Sequence, residues 1–206
     1  MIVMISNHDL ETAEHELGLS CEQIMTPESR HQPKRPDAPF CIDNGAFSSF
    51  VPGSFLSLLE RELPRLRLCR FVAVPDVVGS ARRTLEVFEE WKDRLAPWPL
   101  AFVCQDGQED LPIPWRKIAA IFIGGSTKWK LSQPAGACIK AAQAIGKWVH
   151  VGRVNTPCRL AHFERLGVDS IDGSGLSRFQ DSRERIKRNR EIPELRLWHG
   201  ACEGDH

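Results

Sequence analysis

Tyrosine is absent from the 206 residues, so no tyrosine can serve as a catalytic acid or a stacking ring. A surplus of charge is also missing. Lys and Arg total 27, Asp and Glu total 27, and the formal net charge is zero. A nucleic-acid enzyme of this composition has to rely on local basic patches, because there is no overall positive field. No apolar run approaches a membrane span in length, and no membrane contact is expected. Met1 to Ser6 is apolar from its first residue, with no basic region before it; it reads as a first strand, not a signal peptide, and the expected location is cytoplasmic. No Gly-x-Gly-x-x-Gly follows that strand, so a dinucleotide site has no support and no cofactor is expected. Cysteine is not scarce, but the seven residues are odd in number and scattered. Cys41, Cys69 and Cys104 fall in or beside strand-like runs, the pattern of buried thiols in a reducing compartment.

The chain has 42% hydrophobic and 26% charged residues, an ordinary globular balance, with enough length for one domain and a sizeable core. Short apolar runs recur and each stops on a polar residue or a glycine pair: Phe40 to Gly45, Phe71 to Asp76, Ala101 to Gly107, Ala120 to Gly125 and Gly167 to Gly175. Strands are expected at 1–6, 40–43, 70–75, 100–104, 119–123, 148–151 and 170–172, with an eighth at 194–198. Helices are expected at 54–67, from Ser80 to Arg94, from Pro134 to Ile145, after the Thr156-Pro157 cap, and at 179–190. Residues 7–39 lack a clear period, and the prolines of 26–39 forbid regular structure there. Strand and helix alternate without a composition break across 1–206, which favours a single compact (β/α)8 barrel.

In such barrels the chemistry sits where strands end. Asp43 and Asp172 end two of them. Substitution at a sugar carbon with retention needs a nucleophilic carboxylate and a second acting as acid and base, about 5 Å apart. Either aspartate taken alone is equally well served by an Asx turn. Asp76 and Gln105 offer the acceptors and donors that a guanine-like edge requires, or form a solvated rim. Gly124 and Gly125 allow backbone to approach a flat ligand, or make an ordinary turn. Phe47 can stack on a base or pack in the core.

Arg178, Arg183, Arg185, Lys187 and Arg188 make 178–190 the most basic segment and a candidate phosphate-contacting face; a solvated helix would look the same. Arg30, Lys34 and Arg35 in the proline-rich loop are lesser candidates. His199, Cys202 and His206 match no strong zinc spacing, and no metal is expected.

Six elements in one order, covering residues 40–178, resemble the tRNA-guanine transglycosylase superfamily, most closely the small DNA-acting members that insert 7-deazaguanines. They are Asp43-Asn44-Gly45-Ala46-Phe47-Ser48, Asp76, Cys104-Gln105-Asp106-Gly107, Gly124-Gly125, Gly152-Arg153-Val154-Asn155-Thr156-Pro157, and Gly167-Val168-Asp169-Ser170-Ile171-Asp172 with Arg178 six residues on. The resemblance implies Asp172 as the nucleophile at C1′ and Asp43 as general acid/base. Asp76, Gln105 and the Gly124–Gly125 backbone would hold the base, with Phe47 stacked on it. It also implies a flipped guanosine of DNA as substrate, a preQ0- or preQ1-type base as the incoming partner, and a homodimer as a common assembly. The Cys-x-Cys-x-x-Cys…His zinc element of the tRNA enzymes is missing, Ala46 replaces a glycine and Ser48 a glutamine. The missing element disfavours tRNA as the substrate.

Overall fold

The computed structural model describes residues 1–6, 8–28 and 35–192. Eight parallel strands close into one barrel: β1 (Ile2–Ile5), β2 (Cys21–Met25), β3 (Phe40–Ile42), β4 (Cys69–Ala73), β5 (Leu100–Cys104), β6 (Ala120–Ile123), β7 (Trp148–Val151) and β8 (Ser170–Asp172). The expected (β/α)8 fold is therefore present. β8 pairs with β1, Ile2 opposite Ser170 and Met4 opposite Asp172, and this closes the ring. The expected strand at 194–198 lies outside the described residues. The eighth place is filled instead by β2, in a stretch with no clear sequence period, and α1 (Leu10–Leu17) precedes it.

The other helices are α2 (Pro52–Glu62), α3 (Ala81–Trp91), α4 (Thr127–Lys130), α5 (Gln133–Ala144), α6 (Pro157–Arg165), α7 (Ser174–Arg178) and α8 (Gln180–Glu191). Their ends follow local chemistry. The Asp9 carboxylate accepts from Thr12 N at 2.8 Å, and Gly18 closes α1 at a φ of 64°. Ser80 caps α3. Thr156 caps α6, whose first turn contains Pro157 with φ already set for a helix. Helices that cover the barrel show the 3.6-residue period: Ala81, Thr84, Phe88 and Trp91 are the buried face of α3.

Two cores result. The larger lies between strands and helices and includes Phe55, Phe88, Phe102 and Phe163, all essentially inaccessible; each contributes roughly 2–3 kcal/mol through burial. The smaller fills the barrel and contains Met4, Ile24, Cys41, Phe71, Val103 and Phe122. At its N-terminal end Arg70 pairs with Glu22, and the Arg70 guanidinium lies 4.5 Å from the Trp148 ring. This polar plug follows from a shift in register between β3 and β4, which turns one extra residue inward. Because side chains alternate along a strand, the inward positions of β3, β5, β6 and β8 continue at the C-terminal end to Asp43, Gln105, Gly124 and Asp172.

Cys41, Cys69 and Cys104 are free and buried, as the strand-like runs suggested, and so are Cys21 and Cys138. Burial pushes the Cys21 and Cys69 thiols up to about 12. None of the helices among the described residues is long and apolar enough to cross a membrane.

Candidate active site

Asp43, Asp76, Gln105, Gly124, Phe47 and Asp172 all line one cavity of about 240 Å³ at the C-terminal mouth of the barrel. Residues separated by up to 129 positions in sequence thus meet, because each follows or ends a barrel strand.

Asp172 ends β8. Its Oδ1 accepts from Arg153 N at 2.8 Å, and its Oδ2 lies 3.2 Å from His150 Nε2. Burial alone would raise its pKa. The His150 contact, the Arg153 amide and the nearby Lys130 ammonium outweigh burial and hold the carboxyl below its ordinary range. Asp43 follows β3 and has no such cation. Burial, reinforced by the negative charge of Asp172, pushes it up to about 7 against the pull of the Gly45 amide. Two carboxylates at one cavity therefore differ in protonation, the arrangement that separates an acid/base from a nucleophile.

Asp76 follows β4. Asn44 Nδ2 donates to its Oδ1 at 2.8 Å and Gln105 Nε2 to its Oδ2 at 2.7 Å. Burial raises its pKa despite these donors. Gln105 is buried, and its Oε1 accepts from the Gly79 and Gly125 amides at 2.9 and 3.0 Å. Gln105 thus fixes Asp76 through one of its two amide N–H groups and the β6 turn through its Oε1, and it lines the cavity beside Asp76. Gly124 also lines the cavity, but the amides of the glycine pair are engaged within the protein. Gly124 N donates to Cys104 O and Gly125 N to Gln105 Oε1, so neither amide is available to a base. Gly124 is needed for packing, since a Cβ there would lie 2.7 Å from Gln105 Nε2 and 2.9 Å from Val103 Cγ1.

Phe47 is 66% exposed at the rim and carries the Arg153 guanidinium 4.3 Å from its ring centre. It is not a core residue. Arg153 also donates to Gly125 O. Its own φ of 61° is left-handed, a position a non-glycine residue holds at a cost of about 1–3 kcal/mol. That turn aims the Arg153 amide at Asp172.

His150 and Lys130 escaped the sequence reading, and Arg153 was named there only within the Gly152–Pro157 element, with no role. Lys130 is buried, with its Nζ donating to Gly152 O at 2.5 Å. Burial and the Arg153 charge bring its ammonium down to about 7, opposed by Asp172. Nothing in the sequence around α4 marks it. His150 sits one strand from Asp172 and in the same inward phase, a relation that only the register of β7 with β8 supplies.

The basic segment divides. Arg183 is 2% exposed; it pairs with Glu16 and donates to Leu176 O at 2.8 Å. It holds α8 against α1 and cannot contact a phosphate, which corrects its assignment to a binding face. Lys187 is half-buried with its Nζ on His15 O at 3.0 Å. Arg178, Arg185 and Arg188 are exposed. In the proline-rich loop Arg35 forms a two-pronged contact with Glu14. Arg30, Lys34, His199, Cys202 and His206 lie outside the described residues. Among the described residues no group of His, Cys, Asp and Glu is arranged to hold a metal ion.

No family model and no curated protein matches this chain. Solved structures resemble it in fold. A mutant flavocytochrome b2 with benzoylformate superposes with a TM-score of 0.54 at 9% identity, over 95% of this chain and 63% of that one. The chain therefore spans less than two thirds of that protein. Phosphoribosyl anthranilate isomerase from Thermus thermophilus gives a TM-score of 0.45 at 16% identity, over 93% of this chain and 98% of that one. A native KDPGal structure gives 0.44 at 13%, over 94% of each chain. At such identities the likeness concerns the fold alone, and the fold is that of a (β/α)8 barrel.

Proposed function

We propose that this protein is a pentosyltransferase that exchanges guanine in DNA for a 7-deazaguanine base. The observation that carries the reading is the pair of aspartates in one cavity, Asp172 held ionised and Asp43 raised to about 7. In the first displacement the Asp172 carboxylate attacks C1′ and the bond from C1′ to guanine N9 breaks. Protonated Asp43 supplies the proton that the departing base takes up. In the second, the Asp43 carboxylate removes the N9 proton of a preQ0- or preQ1-type base. That nitrogen attacks C1′ and the ester bond to Asp172 breaks. Two inversions retain configuration. Asp76, fixed by Asn44 and Gln105, presents acceptor oxygens to the N–H edge of the base, and Phe47 offers a ring at the rim. The target nucleoside has to leave the helix to reach the cavity, at a few kcal/mol of unstacking. DNA is preferred over tRNA on the resemblance of the ordered motifs to the small DNA-acting enzymes.

The test is release of radiolabelled guanine from duplex DNA and from tRNA in parallel, with and without preQ0. Release from DNA that depends on preQ0 is expected. Release from tRNA alone would keep the chemistry and overturn the substrate. Release from neither, together with unchanged nucleic-acid binding by an Asp43→Ala/Asp172→Ala variant, would make the barrel a binding module.

A further inference from the structure

We infer that His150 is the positioning residue for Asp172, at the end of a one-way chain of hydrogen bonds that starts at Trp148. The inference rests on the reading of Asp172 as the nucleophile. His150 is 0% exposed inside the barrel, with its ring centre 4.5 Å from that of Phe122 and 5.2 Å from that of Phe71. Its two nitrogens face different partners, Ser170 Oγ at 2.9 Å from Nδ1 and Asp172 Oδ2 at 3.2 Å from Nε2. Ser170 is likewise 0% exposed and accepts from Trp148 Nε1 at 2.8 Å.

The direction of this chain follows from its ends. An indole N–H can only donate and a carboxylate can only accept. Ser170 Oγ receives the indole proton and has one proton of its own to place. His150 Nδ1 is the acceptor in reach, which puts the ring proton on Nε2, aimed at Asp172. The other neutral tautomer would set a ring lone pair against the carboxylate. A cationic ring would take Nδ1 away as an acceptor and leave the buried Ser170 hydroxyl proton unmatched, at a cost of about 1–3 kcal/mol. Trp148, Ser170 and His150 thus lock one tautomer. With Arg153 N on the other oxygen, they also fix the plane of the Asp172 carboxylate. Metal-bound histidines are oriented by partners in the same way, but here the oriented group is the carboxylate. The charged or titratable groups facing Asp172 are Asp43, Lys130, Arg153 and His150.

The test reads the uncomplexed protein first. In ¹⁵N spectra of wild type at pH 7, His150 is expected with Nε2 protonated and Nδ1 bare. ¹³C-carboxyl titration of His150→Phe is expected to show Asp172 titrating at least one pH unit higher than in wild type. His150→Gln, whose amide nitrogen can stand where Nε2 stood, should restore at least half of that rise. Base exchange should lose about 100-fold in kcat in His150→Phe, with KM changed less than threefold and partial recovery in His150→Gln. An unmoved Asp172 titration in folded His150→Phe overturns the inference. So does a cationic or Nδ1-protonated ring in wild type. Titrations as expected in a protein that releases no guanine would uphold the chain of hydrogen bonds and refute the proposed reaction.

Discussion

Asp43 holds its proton up to about pH 7, while Asp172 beside it is ionised well below that. Exchange should therefore follow a bell, with an alkaline limb near pH 7 set by Asp43 and an acid limb below the ordinary carboxylate range set by Asp172. Asp172→Asn is expected to abolish exchange, to below a thousandth of wild type, with a melting temperature within a few degrees; retained exchange would remove Asp172 from its role. Asp43 also carries a stability signature. Between 3.8 and about 7 the folded protein keeps a proton that the unfolded chain has released. Stability therefore falls as pH rises through that window and levels off above it. Asp43→Asn removes this loss. It should melt with wild type at pH 4 and be about 1–3 kcal/mol more stable at pH 8, measured by denaturant titration. Equal stabilities at pH 8 would mean that the Asp43 carboxyl is not raised.

Elements explain why the charged C-terminal segment cannot be read from composition. In α8 the period of 3.6 residues sends Arg183, Ile186 and Asn189 inward and leaves Arg185 and Arg188 outside. Arg183 meets Glu16 of α1, and both side chains are largely buried. Arg183→Ala strands a buried carboxylate and should cost about 3–5 kcal/mol, against less than about 0.5 kcal/mol for Arg185→Ala; equal costs in denaturant titration would refute the buried pair. A run of six cations in thirteen residues looks uniform until a partner helix is known, and α1 was itself invisible in the sequence. The same limit hid β2. Cys21-Glu22-Gln23-Ile24-Met25 breaks the apolar strand pattern because Glu22 points into the barrel, where it is neutralised by Arg70 from β4. That pairing is long-range, and no local signal encodes it. By contrast β5 and β6 are apolar on both faces and helices cover them, so their runs are plain to read. Site residues at strand ends were legible for the same reason, Asp43, Asp76 and Asp172 each punctuating an apolar run. His150 was not, since a single inward histidine inside Trp148-Val149-His150-Val151 gains meaning only from its register with Ser170.

The whole molecule has a formal net charge of zero, yet the proposed substrate is a polyanion. We propose that its grip on DNA comes from the exposed cations of α7 and α8. Arg178, Arg185 and Arg188 remain after Arg183 and Lys187 are assigned to packing. Each phosphate contact releases close to one condensed counterion, so three contacts set a slope of about −3 in a plot of log binding constant against log salt concentration. That is a shallow dependence for a DNA-binding protein, and it should make binding weak at physiological salt even where the chemistry is intact. Replacing all three arginines by alanine should bring the slope close to zero while leaving the cavity and the Asp43–Asp172 pair undisturbed, so that exchange on a short single-stranded substrate at low salt persists at reduced affinity. A slope unchanged in the triple variant would place the grip on other cations, and loss of exchange at saturating DNA would assign one of these arginines to the reacting centre itself.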